Sequence, residues 1–149
     1  MLEDGTTVAA LAVVNAVGSC VDPVTGELYA GRFGLPGEFA QLRRPDPEDV
    51  AAAAELALGY GALTVSLATT IGVVATDATL TKAQCAKVAG VGHDGMARAI
   101  RPVHTMFDGD VVFAMSTGDG SRCDAEPFLR LGMAADDAIG EAIERSVAT

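Results

Sequence analysis

The sequence predicts an α/β fold, because short apolar runs alternate with longer segments that carry helix signals. Three runs, at residues 6–14, 70–76 and 111–115, have the length and the apolar content of buried strands. The segments after each run carry helix-start signals or apolar residues at helical spacing. We therefore expect about three strands and three helices, in one domain that spans the 149 residues.

The first predicted strand, at residues 6–14, is apolar at almost every position and ends at Asn15. Such a strand is expected to be covered on both faces. Residues 19–44 follow, with glycine, proline and charge but no periodicity. They indicate a long loop, which either lines a site or forms a surface insertion.

The first predicted helix begins at Asp46-Pro47, where Asp46 can cap and Pro47 fits the first turn. It should stop near Gly59 or Gly61, before the strand at 70–76. Residues 56–75 carry no charge and are long enough to cross a bilayer. Glycines, hydroxyls and β-branched residues in this stretch favour a buried strand instead, so no membrane partner is expected.

The second helix has capping-box spacing at Thr81 and Gln84, and it should reach about Ile100 before Pro102. Glycines at 90, 92 and 95 interrupt its apolar spacing. The last helix should run from Asp124 to about Val147. Its apolar stripe consists of Phe128, Leu131, Ala135, Ala138, Ile139, Ala142 and Ile143.

Three helices can cover only one face of the predicted sheet. Strands that are apolar on both faces need cover on both sides, and no further element of this chain can supply it. We therefore expect an upstream segment or another subunit to complete the sheet.

Composition excludes several classes of partner. Ten basic against 20 acidic residues give a net charge of −10, which argues against nucleic acid and anionic membranes. Three cysteines without CxxC spacing and only two histidines predict no disulfide framework, no metal site and no cofactor. The acidic N-terminus lacks signal-peptide features, and with the thiols it predicts a cytoplasmic protein.

The candidate chemistry lies in two short segments. Thr69 and Thr70 lie at the start of the second predicted strand, and Asp108-Gly109-Asp110 precedes the third. A threonine becomes a strong nucleophile when the peptide bond before it is cut, because the freed α-amine serves as its base. By itself, the Asp-Gly-Asp sequence is an ordinary turn signal, and Asn15 could simply end a strand.

Several motifs together resemble the C-terminal half of the L-aminopeptidase/D-esterase family, which includes the β-aminopeptidases and the endo-type 6-aminohexanoate (nylon) oligomer hydrolase. The resemblance covers about residues 5–145. Its motifs are Thr69-Thr70-Ile71-Gly72-Val73-Val74-Ala75-Thr76-Asp77-Ala78, His93-Asp94-Gly95-Met96-Ala97-Arg98, Ile100-Arg101-Pro102, His104-Thr105, Asp108-Gly109-Asp110 and Phe113-Ala114.

The resemblance implies a four-layer αββα sandwich, incomplete in this chain, and a precursor that cuts itself. The cut would fall before Thr69, leaving residues 1–68 as the end of a larger subunit and 69–149 as a smaller one. Thr69 would be the nucleophile, with Thr70 as the alternative. Asn15 would help bind the oxyanion, and Asp108 and Asp110 would position the nucleophile's amine and hydroxyl.

The implied function is amide-bond hydrolysis of small peptides or ω-amino-acid oligomers by a homo-oligomer of processed heterodimers. Acyl transfer, and an unprocessed, catalytically incompetent chain that needs an upstream partner, are the alternatives. His93, Asp94 and His104 are either catalytic or structural. Lys82 and Lys87 do not match the family's upstream active-site lysine. Ala68 stands where the nylon-hydrolase branch often has an asparagine before the nucleophile.

Overall fold

The computed structural model describes residues 1–42, 45–60 and 68–148, which form one three-stranded sheet with helices on one face. The strands are β1 (Val8–Asn15), β2 (Thr69–Thr76) and β3 (Val111–Ser116). The helices are α1 (Pro47–Tyr60), α2 (Lys82–Ala99) and α3 (Ala125–Val147). A short 3-10 turn at Gly31–Phe33 lies in the segment between β1 and α1. The predicted α/β class and the order of its elements are confirmed.

The central strand of the sheet is β2. It pairs antiparallel with β1, so that Val8 lies opposite Thr76 and Asn15 opposite Thr69. On its other edge it pairs parallel with β3, and Ile71 lies opposite Val111. The C-terminal end of β1 and the N-terminal ends of β2 and β3 therefore meet at one end of the sheet.

One face of the sheet packs against α2 and α3, and the core lies between them. Its buried side chains include Val74, Val88, Met96, Ile100, Val112, Leu131, Ile139 and Ile143. The predicted stripe of α3 is confirmed by its fully buried positions Leu131, Ala135, Ile139 and Ile143. The same helix also buries two acidic residues, Asp136 and Glu144, which the sequence did not predict to be buried. Each follows directly after a residue of the apolar stripe.

The opposite face of the sheet is apolar and open in the described part of the chain. Leu11, Val13, Ile71, Phe113 and Met115 lie on it with exposed fractions between 42% and 65%. For the described residues, the prediction that the chain covers only one face of its strands is confirmed.

The helix boundaries follow the predicted signals. Asp46 accepts a hydrogen bond from the Glu48 N–H, and α1 ends at Tyr60, while residues 61–67 lie outside the described residues. At the start of α2, Thr81 and Gln84 form the reciprocal capping box. Within the described residues, no helix combines the length and apolar character that a membrane span requires.

The glycines of α2 do not break the helix, which runs unbroken from Lys82 to Ala99. Instead, Gly92 and Gly95 allow β3 and α3 to pack closely against the helix. A Cβ atom at Gly95 would lie 2.3 Å from the Asp136 carbonyl oxygen of α3, whereas one at Gly90 would meet nothing within 4 Å. The close approach of α2 and α3 therefore depends on Gly95.

Glu144 ties the long loop to α3. Its side chain is fully buried, and its Oε1 accepts a hydrogen bond of 2.8 Å from the Ala30 N–H. Its Oε2 is buried without a hydrogen-bond partner among the described residues. Burial raises the pKa of Glu144 to about 7, and the bond from Ala30 opposes this only in part. The ionised form is therefore disfavoured in the folded chain.

Gly95→Ala and Gly90→Ala form a matched pair of variants on one helix. Both gain helix propensity, of up to about 1 kcal/mol. Gly95→Ala should nevertheless destabilise the fold by roughly 1–3 kcal/mol, because its methyl group forces α2 away from α3. Urea denaturation measures the free energy of unfolding of each variant. Equal stability of the two variants would contradict the proposed close contact.

Glu144→Gln should remove a pH dependence of stability. Between the ordinary pKa of 4.5 and about 7, the folded chain holds the proton that the unfolded chain releases. Wild-type stability should therefore fall as pH rises through this window, by roughly 3 kcal/mol. The glutamine variant cannot ionise. Its gain in free energy of unfolding over wild type should therefore be absent near pH 4 and complete by pH 8. Glu126→Gln, at an exposed position of α3, is the control and should leave the slope unchanged.

Candidate active site

The residues predicted for the site converge at one end of the sheet. Thr69 is the first residue of β2 and lies directly opposite Asn15, the last residue of β1. On the other side, Ala68 forms a parallel bridge with Asp108, just before β3 begins. The mixed pairing of the sheet thus brings together three segments that are far apart in sequence.

Thr69 and Thr70 point to opposite faces of the sheet, as adjacent strand residues must. Thr69 is half-buried and shares the open face with the cross-strand Asn15, which is exposed. Thr70 is fully buried on the helix side, and its Oγ1 has no hydrogen-bond partner in the described chain. Only Thr69 is therefore accessible from the open face.

The carbonyl group of Ala68 receives two hydrogen bonds. The Thr69 hydroxyl donates to its oxygen at 2.6 Å, and the Gly109 N–H donates to the same oxygen at 2.8 Å. A Cβ atom at Gly109 would lie 3.1 Å from Thr69 Oγ1, which shows how closely this backbone approaches the hydroxyl. The peptide bond before Thr69 is thus polarised by a backbone donor and lies next to the Thr69 hydroxyl.

Asp108 organises the loops beside Thr69. Its Oδ1 accepts from the Val17 N–H at 3.1 Å, and its Oδ2 accepts from the Thr105 N–H at 3.0 Å and hydroxyl at 2.6 Å. Burial acts to raise the pKa of Asp108, but the bonds from Thr105 and Val17 outweigh it and hold the pKa below its usual value. This carboxylate therefore stays ionised and joins the segment after β1 to the turn before β3.

Asp110 holds the peptide group that follows Thr69. Its side chain is 3% exposed, and its Oδ1 accepts from the Thr70 N–H at 2.8 Å. Its Oδ2 lies 2.7 Å from His104 Nδ1 and accepts a longer bond, of 3.3 Å, from the His104 N–H. Asp110 thus connects β2 with the segment that carries His104.

The structure brings all four predicted site residues to one end of the sheet. Asp110 is bonded to the N–H of Thr70, next to Thr69, and Asp108 is bonded to Val17 and Thr105. The role of the two carboxylates in positioning the amine and hydroxyl of Thr69 stays a prediction. Of the residues left open, Asp94 is exposed on α2, whereas His93 and His104 extend the network from Asp110. Sequence reasoning missed Gly109, because a backbone donor leaves no side-chain signature.

A separate cleft of about 650 Å³ is lined by the long loop, between Asp22 and Leu42. Its lining does not include Asn15, Thr69 or the segment 108–110. The cleft is therefore not part of the site at the end of the sheet.

Known proteins resemble this chain over most of its length. The profile of peptidase family S58 matches residues 1–149. Uncharacterized aminopeptidases of Mycobacterium tuberculosis and Mycobacterium bovis are 52% identical over 117 residues, which cover 78% of this chain and 33% of each relative. An uncharacterized aminopeptidase of Mycobacterium leprae is 53% identical over the same length. The chain spans about a third of the length of these relatives.

A solved structure supports the fold. The L-aminopeptidase D-Ala-esterase/amidase of Ochrobactrum anthropi, described as a prototype of the serine aminopeptidases and a variant of the Ntn hydrolase fold, matches with a TM-score of 0.53. The match covers 97% of this chain and 40% of that one at 18% identity. The sheet and helices described above therefore have the architecture of part of this Ntn hydrolase variant.

Thr70→Val should leave the fold intact or stabilise it by up to about 2 kcal/mol, because it replaces a buried hydroxyl without a partner by an isosteric methyl group. The control is Thr76→Val on the same strand and face. Thr76 donates to the Thr7 carbonyl oxygen at 2.8 Å and accepts from the Ala78 N–H, so its loss should cost roughly 1–3 kcal/mol. Denaturant unfolding of both variants would reveal this difference in sign, and a large loss from Thr70→Val would contradict it.

Proposed function

The chain belongs to peptidase family S58, as its resemblance to the L-aminopeptidases/D-esterases indicated, and on this premise we propose that Thr69 is the nucleophile of a self-processing amide-bond hydrolase. The observation that carries the proposal is the Ala68 carbonyl group, which is bonded by both the Thr69 hydroxyl and the Gly109 N–H. These two groups supply a nucleophile and an oxyanion donor at the same peptide bond.

Self-cleavage begins when Thr69 Oγ1 attacks the carbonyl carbon of Ala68. The Gly109 N–H stabilises the negative charge that develops on the carbonyl oxygen. The C–N bond then breaks, the Thr69 nitrogen takes up the proton, and an ester joins Ala68 to the Thr69 oxygen. Water hydrolyses this ester to leave the Ala68 carboxylate and a free Thr69 amine.

The processed site then acts on substrate amides. The Thr69 amine accepts the hydroxyl proton as Oγ1 attacks the substrate carbonyl, and the proton passes to the leaving amine. We propose that the side-chain amide of Asn15, which lies directly across the strand pair from Thr69, donates to the substrate oxyanion. Water finally hydrolyses the acyl-enzyme. We propose small peptides or ω-amino-acid oligomers, including nylon oligomers, as substrates of this cytoplasmic enzyme.

The open face of the sheet supports a further part of the proposal. Its exposed apolar side chains need cover, and the relatives are about two and a half times as long as this chain. We propose that an upstream segment or subunit supplies a second sheet on this face, and that processed heterodimers assemble into a homo-oligomer. Thr69 and Asn15 would then lie at the edge of the space between the two sheets.

Mass spectrometry of the full-length protein tests the proposed nucleophile. Wild type should yield a fragment that begins at Thr69, and Thr69→Ser should yield the corresponding fragment, because serine keeps the hydroxyl. Thr69→Ala should remain uncut and should not hydrolyse amides. Thr70→Val should be processed normally, since the Thr70 hydroxyl faces the helices.

Cleavage of the Thr69→Ala variant before residue 69 would sink the proposal. Loss of processing in Thr70→Val, with Thr69→Ala still processed, would move the nucleophile to Thr70. Addition of an amine acceptor separates hydrolysis from acyl transfer, because a transferase forms a new amide in place of the free acid.

A further inference from the structure

We propose that His104 is a positioning residue for the nucleophile, acting through Asp110 on the backbone at Thr69-Thr70. The inference rests on the proposed function of Thr69. The evidence is a continuous series of three polar contacts. The Thr70 N–H donates to Asp110 Oδ1 at 2.8 Å, and Asp110 Oδ2 lies 2.7 Å from His104 Nδ1. His104 Nε2 in turn lies 3.3 Å from His93 Nδ1.

The first step concerns Asp110, whose orientation determines where the start of β2 lies. Both of its oxygens are engaged, one by β2 and the other by the side chain and N–H of His104. Since the carboxylate is almost completely buried, few water molecules can replace a lost partner. Removal of the imidazole would leave Oδ2 with only the longer bond of 3.3 Å from the N–H of residue 104, and so would allow the carboxylate to rotate away from the Thr70 N–H.

The second step concerns the backbone of His104. Its φ angle is +54°, in the left-handed region, and no other residue except glycine adopts a positive φ in the described chain. Such a conformation is strained for a residue with a side chain and persists only where surrounding contacts hold it. Here it allows the N–H and the Nδ1 atom of one residue to reach the same Asp110 oxygen.

The third step concerns the group behind His104. His93, on α2, lies against the imidazole edge with ring centroids 4.8 Å apart. Burial lowers the pKa of His93, and His104 acts in the same direction against the opposing charges of Asp110 and Asp94. A neutral His93 accepts or donates at Nδ1, so it holds the outer nitrogen of His104 without adding a positive charge of its own.

The arrangement also determines a tautomer. Because Asp110 accepts hydrogen bonds through both oxygens, Nδ1 of His104 must carry the proton. Nε2 is then left to His93. Asp108, whose pKa His104 also lowers, is the remaining carboxylate close to this imidazole. The charged and titratable groups around His104 are thus His93, Asp94, Asp108 and Asp110.

Three substitutions at residue 104 separate positioning from folding. His104→Gly accepts the positive φ without strain but removes the contacts of the side chain. His104→Asn tolerates the same φ and can place an amide N–H where Nδ1 lies. His104→Gln instead extends an amide towards the position of Nε2, and so towards His93.

In the full-length protein, His104→Gly should slow self-cleavage and lower kcat roughly 10- to 100-fold, with little change in KM or in unfolding by urea. His104→Asn should restore most of both rates, and His104→Gln should not. A second readout does not depend on activity: amide hydrogen exchange at Thr70 should accelerate about tenfold in His104→Gly, while Val74 in the same strand keeps its protection.

Unchanged Thr70 exchange in His104→Gly would overturn the positioning role, whatever the activity of the protein. Wild-type cleavage rates in His104→Gly, with Thr69→Ala uncut, would also overturn it and leave the proposed nucleophile standing. Conversely, faster Thr70 exchange in a protein that never cuts itself would support the contact and sink the proposed function.

Discussion

The register of β2 between its two neighbours determines the chemistry of the site. Side chains alternate between the faces of a strand, so a shift by one residue would turn Thr69 towards the helices and expose Thr70. The antiparallel pairing with β1 places Asn15 opposite Thr69, and the bridge from Ala68 to Asp108 places the Gly109 N–H on the carbonyl before it. The same hydrogen bonds that build the sheet therefore select one hydroxyl and polarise one peptide bond.

The open apolar face and the site are parts of one arrangement. Thr69 and Asn15 lie on the same face as Leu11 and Phe113, at its end. A second layer that covered this face would remove water from around the proposed nucleophile, Thr69, and this would strengthen the electrostatic interactions at the site. On this view, the packing of a second layer on the open face would do two things. It would cover the apolar strands, and it would shield the proposed amide hydrolysis from water.

Much of the fold could be predicted because its signals are local. The capping box of α2, the start of α1 at Pro47 and the apolar runs of the strands all act over a few residues. Asp136 and Glu144 were missed because a charged residue normally marks the exposed side of a helix. Their burial depends on partners distant in sequence, Arg98 for Asp136 and the Ala30 N–H for Glu144.

The same limit applies to the site. Thr69, Asn15 and the Asp-Gly-Asp segment could be named from their motifs, but the contacts of His104 could not. His104 stands six residues before Asp110, a spacing that belongs to no regular element, and its left-handed backbone is what closes the gap. A sequence pattern contains no record of such a turn, whereas a capping box or an alternating strand is visible in the residues themselves.

The engagement of the two carboxylates bears on how the proposed enzyme could work near neutral pH. A free α-amine has a pKa of about 8, and unshielded carboxylates beside it would raise that value and weaken it as a base. Asp108 and Asp110 already accept hydrogen bonds from Val17, Thr105 and Thr70, which disperse their negative charge. They can therefore orient the new amine of Thr69 while raising its pKa less than two free carboxylates would. The same hydrogen bonds that hold the backbone at the start of β2 would thus also limit the rise in the pKa of the proposed base, the Thr69 amine.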